Sequence, residues 1–459
     1  MRGTCVHTPF DLSEQRANCR PSSPQSSRPS SRIGMRCAES SSNSKTAVGT
    51  TPLTISSGTA RQEFRMTAAS PAADPLADFL FSWQPGPITE TAGFPAWTYY
   101  DPAFFRLERE RFFRQTWLFV AHDHDLPAGG GWYRTSVAGF PVLLTRDKDG
   151  TVKAFHNVCP HRGAPLGVVG DPHACSGTGK TIACPYHGWI FGLNGDLRGA
   201  PGMDAHPTWD KTRHALSPLR LDRWGPFWFV NVSGDAAPLQ EHLGPALTRF
   251  AGIPLESWVR VHRQDYVTDS NWKLYVENNA EFYHEPTAHG TSYQSKAVSW
   301  NNSYHTIQAD VSDYCYLQRS PFPADAPEMT GSMRPNTVLA GLPQTWQEAS
   351  SIFSFWPNFA WIHNPNLLIL YLIDPVSPTK TRIRWDWLVP NTPEAKDPEN
   401  LDPLLKLYDQ VQREDLAIFE LQQAAVDSPV YTMGQLNPRS EVGLHRFQQL
   451  LMEYLTGKR

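Results

Sequence analysis

The chain has 459 residues, is 40% hydrophobic and 12% aromatic, and carries a formal net charge of -4. That is enough for two or three domains with a sizeable core, and the charge implies no nucleic-acid and no membrane-surface partner. Seven cysteines in a chain this long do not read as a disulfide framework, so a reducing, cytoplasmic compartment is expected.

Residues 1–70 are rich in Ser, Thr, Pro and Arg. Before Met66 the only acidic residues are Asp11, Glu14, Glu39 and Glu63. The segment has no hydrophobic periodicity and is expected to be disordered. Two readings stand. One is an organelle transit peptide, which would direct the protein to a plastid or other organelle. The other, preferred, is an over-extended start, with Met35 or Met66 as the true beginning.

Order is expected from about Pro75. Asp101-Pro102 is a helix start, an N-cap acid followed by proline. Phe104, Phe105, Leu107, Phe112 and Phe113 then give an amphipathic helix ending before Trp117. Residues 75–116 form an N-terminal helical part. From 117 to 232 the pattern turns to short strands: Trp132–Val137, Phe140–Arg146, Val152–Asn157, Trp189–Leu193 and Pro226–Val232. Turns such as Ala138-Gly139 and Asn194-Gly195 separate them. This is a small antiparallel β domain.

Two clusters stand out within it: Cys159-Pro160-His161-Arg162-Gly163 and Cys184-Pro185-Tyr186-His187-Gly188-Trp189. The pattern is C-x-H-x22-C-x2-H. Two thiolates and two imidazoles suit a [2Fe–2S] cluster, with cysteines on one iron and histidines on the other. A Cys2His2 zinc site uses the same ligand types. Zinc fingers, however, pair Cys with Cys and His with His along the chain, whereas each cluster here contributes one of each. The intervening loop carries Cys175, read as a bystander; its replacing one of the four ligands is the weaker alternative.

Residues 233–459 read as a second, mixed domain. A helix is expected over about Asn271 to Glu285, and strands near Ser351–Phe355, Leu367–Ile373 and Thr381–Val389. In the last, Ile383, Trp385 and Trp387 alternate with Arg384 and Asp386, giving one apolar and one wet face. Leu367 to Ile373 is the longest apolar run in this half. It is far short of the roughly twenty residues that span a bilayer. Ser320 to Pro343 reads as a loop of the kind that covers functional sites. A long helix is expected from Pro403 to about Val426, and a last one from Glu441 to Leu455.

On the 271–285 helix, Glu277, Glu281 and His284 share one face. Five positions turn His289 about 140° away, and Pro286 is expected to break the helix and bring it back toward His284. In the long helix, Leu404, Tyr408, Val411, Ile418 and Gln422 form a stripe that includes Asp415. A buried, unpaired carboxylate there should bind a cation. Two His and one Asp make the facial triad of non-haem Fe(II) oxygenases.

With these residues the region from about 75 to 459 resembles the catalytic α subunit of Rieske non-haem iron oxygenases, the ring-hydroxylating type. Glu441 and Phe447 also fit. The resemblance implies an α+β fold, an antiparallel β Rieske domain set into a helix-grip catalytic domain with a twisted antiparallel sheet. It implies a [2Fe–2S] cluster on Cys159, His161, Cys184 and His187, and mononuclear Fe(II) on His284, His289 and Asp415. It implies trimers (α3 or α3β3) in which the cluster of one subunit faces the iron of the next, with Glu281 as the bridging carboxylate. An NAD(P)H-dependent reductase, directly or through a ferredoxin, would supply electrons. Many members acting on aromatic rings have Asp at the Glu281 position, whereas Glu is familiar in those oxidising quaternary ammonium compounds.

Tyr293, Trp300, Tyr304, Tyr316, Trp346, Phe353 and Trp361 could line a flat aromatic pocket or a cation–π cage, although most such residues are plain core. On family frequency an aromatic substrate ranks slightly ahead of a choline-, betaine- or carnitine-type ammonium compound. Rivals from other classes are a Rieske electron carrier alone and a zinc-stabilised binding protein.

Overall fold

Paired short strands with tight glycine turns build the first half of the computed structural model. It describes residues 74–168, 174–289, 292, 307–321, 344–426, 428–431 and 434–459. The tail reading and the 322–343 loop lie outside these residues. No helix among them is long and apolar enough to cross a membrane.

After α1 (Pro75–Ser82) and α2 (Pro102–Glu108), seven strands form an antiparallel sheet. These are β1 (Trp117–His122), β2 (Gly131–Val137), β3 (Phe140–Arg146), β4 (Val152–His156), β5 (Ser176–Thr178), β9 (Pro218–Trp224) and β10 (Phe227–Asn231). The order is β1-β10-β9-β4-β3-β2-β5. A smaller sheet holds β6 (Thr181–Ala183), β7 (Ile190–Gly192) and β8 (Leu197–Gly199). Cys159 follows β4, and Cys184 sits between β6 and β7. Both lie in a small core of their own with Trp132, Phe155, Leu166 and Trp189.

The second half is a seven-stranded antiparallel sheet. It contains β11 (Trp258–Thr268), β12 (Gln308–Val311), β13 (Cys315–Pro321), β14 (Ala349–Phe355), β15 (Phe359–Asn364), β16 (Leu367–Ser377) and β17 (Lys380–Pro390). Their order is β11-β17-β16-β15-β14-β13-β12. The sheet grips α3 (Trp272–Asn278). Tyr275 packs at ring-centroid distances of 6.3 Å from Tyr371 on the sheet and 5.6 Å from Phe419 of the long helix α5 (Pro398–Ala425). The final helix, α6 (Val442–Leu455), closes over α3, where Phe447 meets Trp272 edge-on at 5.5 Å.

Three expectations change. The 271–285 helix stops at Asn278, because Asn278 and Asn279 are weak helix formers and the Asn279 side chain donates to the Tyr275 carbonyl at 2.9 Å. Pro286 therefore does not break a helix; it opens a one-turn helix, α4 (Glu285–Ala288). The long helix begins at Pro398, behind the N-cap Asp397, and carries Pro403 inside it. Its buried stripe holds Gln412, Leu416 and Phe419, and Gln422 is exposed.

The wet face of β17 is also not wet. Asp386 is buried and pairs with Arg263 (2.5 Å) and Arg260 (3.4 Å), and both arginines reach Asp125 of the first domain, at 2.8 and 2.6 Å. Arg384 donates to the Tyr133 hydroxyl at 2.9 Å. Nearby, the Asn358 side chain pairs with both the N–H and the carbonyl of Phe119 in β1, at 2.9 Å each. The two domains thus share one joint of ion pairs, borrowed strand bonds and aromatic packing.

Candidate redox and metal centres

The two cysteine loops are built alike. Cys159 N–H donates to Ala164 and Cys184 N–H to Trp189, each five residues on, at 2.9 and 2.7 Å. Gly163 and Gly188, each four residues after its cysteine, donate back to the cysteine carbonyl at 2.9 and 3.0 Å. Both glycines need the left-handed region, with φ of 76° and 71°, which side chains resist. Asn157 anchors the first loop by accepting from Leu166 N–H at 2.8 Å.

This leaves the cysteines buried and His161 and His187 exposed, with imidazole centroids 4.6 Å apart. His161 stacks on Trp189 at 4.7 Å and 7°. Burial pushes the Cys159 thiol up to about 11, so a thiolate there needs a metal cation beside it. Buried sulfur on one side and exposed, adjoining imidazoles on the other suit a two-iron cluster, with the cysteines on one iron and the histidines on the other. Cys175 lies ahead of β5, outside both loops.

The second centre is formed by the ends of α4 and one face of α5. His284 is the N-cap of α4 and His289 its C-cap, so the single helical turn sets their separation, with ring centroids 5.4 Å apart. Asp415 Oδ1 faces His289 Nε2 at 3.3 Å and His284 Nε2 at 3.8 Å. One ligand atom from each lies within 4.8 Å of the others. Asp415 Oδ1 is buried without a hydrogen-bond donor, the condition a bound cation relieves.

Each imidazole is held from behind by a carboxylate. Glu281 Oε1 meets His284 Nδ1 at 2.5 Å, and its other oxygen accepts from the His284 and Tyr283 N–H groups. Glu414 Oε2 meets His289 Nδ1 at 2.9 Å while accepting from Ser292 at 2.6 Å. Both Nε2 atoms are thereby left for a metal. Burial opposes a charge on His284, but Glu281 and Asp415 outweigh it and raise its pKa to about 9. Glu414 was not legible in the sequence; a Glu beside Asp415 looks like an ordinary solvated helix residue. Glu277, expected on the metal face, turns away. Its carboxylate takes hydrogen bonds from Tyr99 and Gln448 at 2.9 and 2.8 Å.

A cavity adjoins the triad. Its aromatic wall is Tyr275, Tyr371, Trp385 and Tyr408. None of these was among the expected pocket aromatics. Of those, Tyr293, Trp300 and Tyr304 fall outside the described residues, and Tyr316, Trp346, Phe353 and Trp361 are buried core that does not line this cavity.

Fold and centres together define an iron-dependent oxidoreductase of α+β architecture. The model of the Rieske [2Fe-2S] domain matches residues 116–210, and that of the ring hydroxylating alpha subunit (catalytic domain) matches residues 255–457. Choline monooxygenase, chloroplastic, of Spinacia oleracea is 26% identical over 402 residues, 85% of this chain and 84% of that protein. The carnitine monooxygenase oxygenase subunit of Acinetobacter baumannii is 28% identical over 375 residues, 79% of this chain and 94% of its own. The crystal structure of the quaternary ammonium Rieske monooxygenase CntA in complex with an inhibitor aligns with a TM-score of 0.67 at 26% identity, over 82% of this chain and 98% of that one. Naphthalene 1,2-dioxygenase from Rhodococcus sp. shares the fold, with a TM-score of 0.66 at 19% identity over 79% and 94%. The chain belongs to the Rieske non-haem iron oxygenases. It is a terminal oxygenase with a [2Fe–2S] cluster and mononuclear iron, dependent on a reductase for electrons.

Proposed function

We propose that this oxygenase is a monooxygenase of a quaternary ammonium compound, of choline, betaine or carnitine type. The observation that carries this is the cavity wall of neutral aromatic rings beside a surplus of carboxyl groups, which suits a methylated cation. The relatives that act on choline and carnitine support it, as does Glu in place of Asp at position 281. They outweigh the family frequency that ranked aromatic rings first, so aromatic hydrocarbon dioxygenation is set aside as the second reading.

In this reading Cys159, Cys184, His161 and His187 hold the cluster, and His284, His289 and Asp415 hold the iron. When bound, these groups supply electron transfer and O2 activation. The chain's own part is geometric. Glu281 and Glu414 fix the two imidazole rings, and the aromatic wall excludes water and orients the substrate. Glu281, in the kink between α3 and α4, is also the carboxylate that would face the cluster histidines of a neighbouring subunit in a trimer. A ferredoxin is an optional intermediary. Cytoplasmic location is the preferred reading. A plastid address is the alternative, favoured by the Arg/Ser-rich tail and the chloroplastic plant relatives.

The test is O2 uptake by the iron-loaded protein with a broad-specificity reductase. Uptake coupled to product from choline, glycine betaine or carnitine is expected; coupling to aromatic acids alone overturns the proposal.

A further inference from the structure

Gln412 is 1% exposed, lines the cavity and lies one helical turn before Asp415. Its Nε2 is buried and meets no hydrogen-bond acceptor. Its orientation follows from donor logic. The Trp385 indole N–H can only donate, and it does so to the Tyr275 hydroxyl at 3.0 Å. Tyr275 must then pass its own proton on, and the acceptor is Gln412 Oε1, also at 3.0 Å. Flipping the amide would take away the oxygen that accepts the Tyr275 proton. Gln412 is therefore held with its carbonyl toward Tyr275 and its amide donors unmet, a state that costs free energy unless a ligand supplies an oxygen.

The charge around the cavity is the second observation. Among the described lining residues none is Lys or Arg, whereas Glu285 and Asp415 both line it. Glu281 and Glu414 stand directly behind the two histidines. Four carboxyl groups exceed the charge of one divalent ion. Apart from the metal itself, a ligand carboxylate would find carboxyl groups and, among the described lining residues, no Lys or Arg, whereas a neutral hydroxyl would find the Gln412 amide.

We propose that Gln412 is a specificity-determining residue. It donates to the hydroxyl oxygen of a trimethylammonium alcohol, and the cavity selects such a monocation over zwitterions bearing a carboxylate. This rests on the quaternary-ammonium reading and narrows it.

The test is calorimetric titration of the anaerobic holoenzyme, without reductase, against choline, tetramethylammonium, glycine betaine, L-carnitine and benzoate. Choline is expected to bind at least about tenfold tighter than either zwitterion. Gln412→Met should weaken choline about tenfold, the worth of one hydrogen bond, and leave tetramethylammonium, which has no oxygen, within twofold. The double variant Tyr275→Phe/Gln412→Met strands no tyrosine hydroxyl, though it frees the Trp385 indole N–H, and should show the same difference between choline and tetramethylammonium. Zwitterions binding as tightly as choline, or equal losses for choline and tetramethylammonium, overturn this proposal while leaving the wider reading intact. Binding of benzoate with no methylated cation overturns both.

Discussion

At the scale of single residues, the carboxylates behind the histidines decide what the triad can do. An imidazole whose Nδ1 is tied to a carboxylate presents Nε2 in one tautomer and one orientation, and loss of such a partner typically costs 10–100-fold in metal affinity. Glu414→Ala is therefore expected to weaken Fe(II) binding about tenfold or more, read by anaerobic titration, with the cluster spectrum unchanged. Glu281→Gln keeps an oxygen for His284 Nδ1 but removes the charge. It should retain both metals and slow coupled turnover at least about tenfold, and normal coupled activity in that variant would refute the bridging role. The cysteines, histidines and Asp415 were legible from sequence because their chemistry is rare and their spacing tight. Glu414 and Gln412 were not, since ordinary polar residues on a helix reveal their direction only when the neighbouring strands are in place.

At the scale of elements, the kink between α3 and α4 is the critical piece, and α6 holds it from outside. Leu444 N–H donates to the Ala280 carbonyl at 3.1 Å. A Cβ on Gly443 would come within 2.4 Å of that same oxygen and of Tyr316. Gly443→Ala should therefore push α6 away, costing about 1–3 kcal/mol and shifting the urea midpoint, with iron lost before the cluster. On the other side of α3, Lys273 is wholly buried and donates to Glu108 at 2.7 Å and to the Thr98 carbonyl at 2.9 Å. Lys273→Met strands Glu108 in the core and should cost about 3–5 kcal/mol by the same measurement. Strands β2, β3, β4, β7, β10, β14, β16 and β17 were readable from alternation and turns, with boundaries close to those observed, whereas β11, β13 and β15 of the second sheet were not picked out. The kink was misread because Pro286 is the more conspicuous breaker, whereas the asparagines before it end the helix.

At the scale of the whole molecule, buried neutral histidines oppose the folded state in mild acid. Burial lowers His122 and His242 to about 4 and His363 to about 3. His363 has no hydrogen bond on either ring nitrogen. The unfolded chain protonates these groups near 6.5 and the folded one does not, so their stabilising effect is full above pH 6.5 and is lost as pH falls toward 4. Each contributes a slope of about 1.4 kcal/mol per pH unit in that window. Glu277, which burial raises to about 7, has the opposite slope, so the test is a comparison: between pH 6.5 and 5 the urea midpoint of His363→Leu should respond to acid less unfavourably than that of the unaltered chain, by roughly one such slope. The joint between the domains was hidden from the sequence for a related reason. Arg384 and Asp386 alternate as solvent-facing residues do, and only the neighbouring domain makes them interior.

The Asn358 amide, inserted beside Phe119 like a missing backbone rung, has a further consequence. A hinge requires a seam that can part, and this seam is stitched on both sides of a single residue and backed by half-buried arginines on buried aspartates. The cysteine loops and the imidazole triad of one polypeptide thus belong to one compact unit, and parting them would break every one of these bonds.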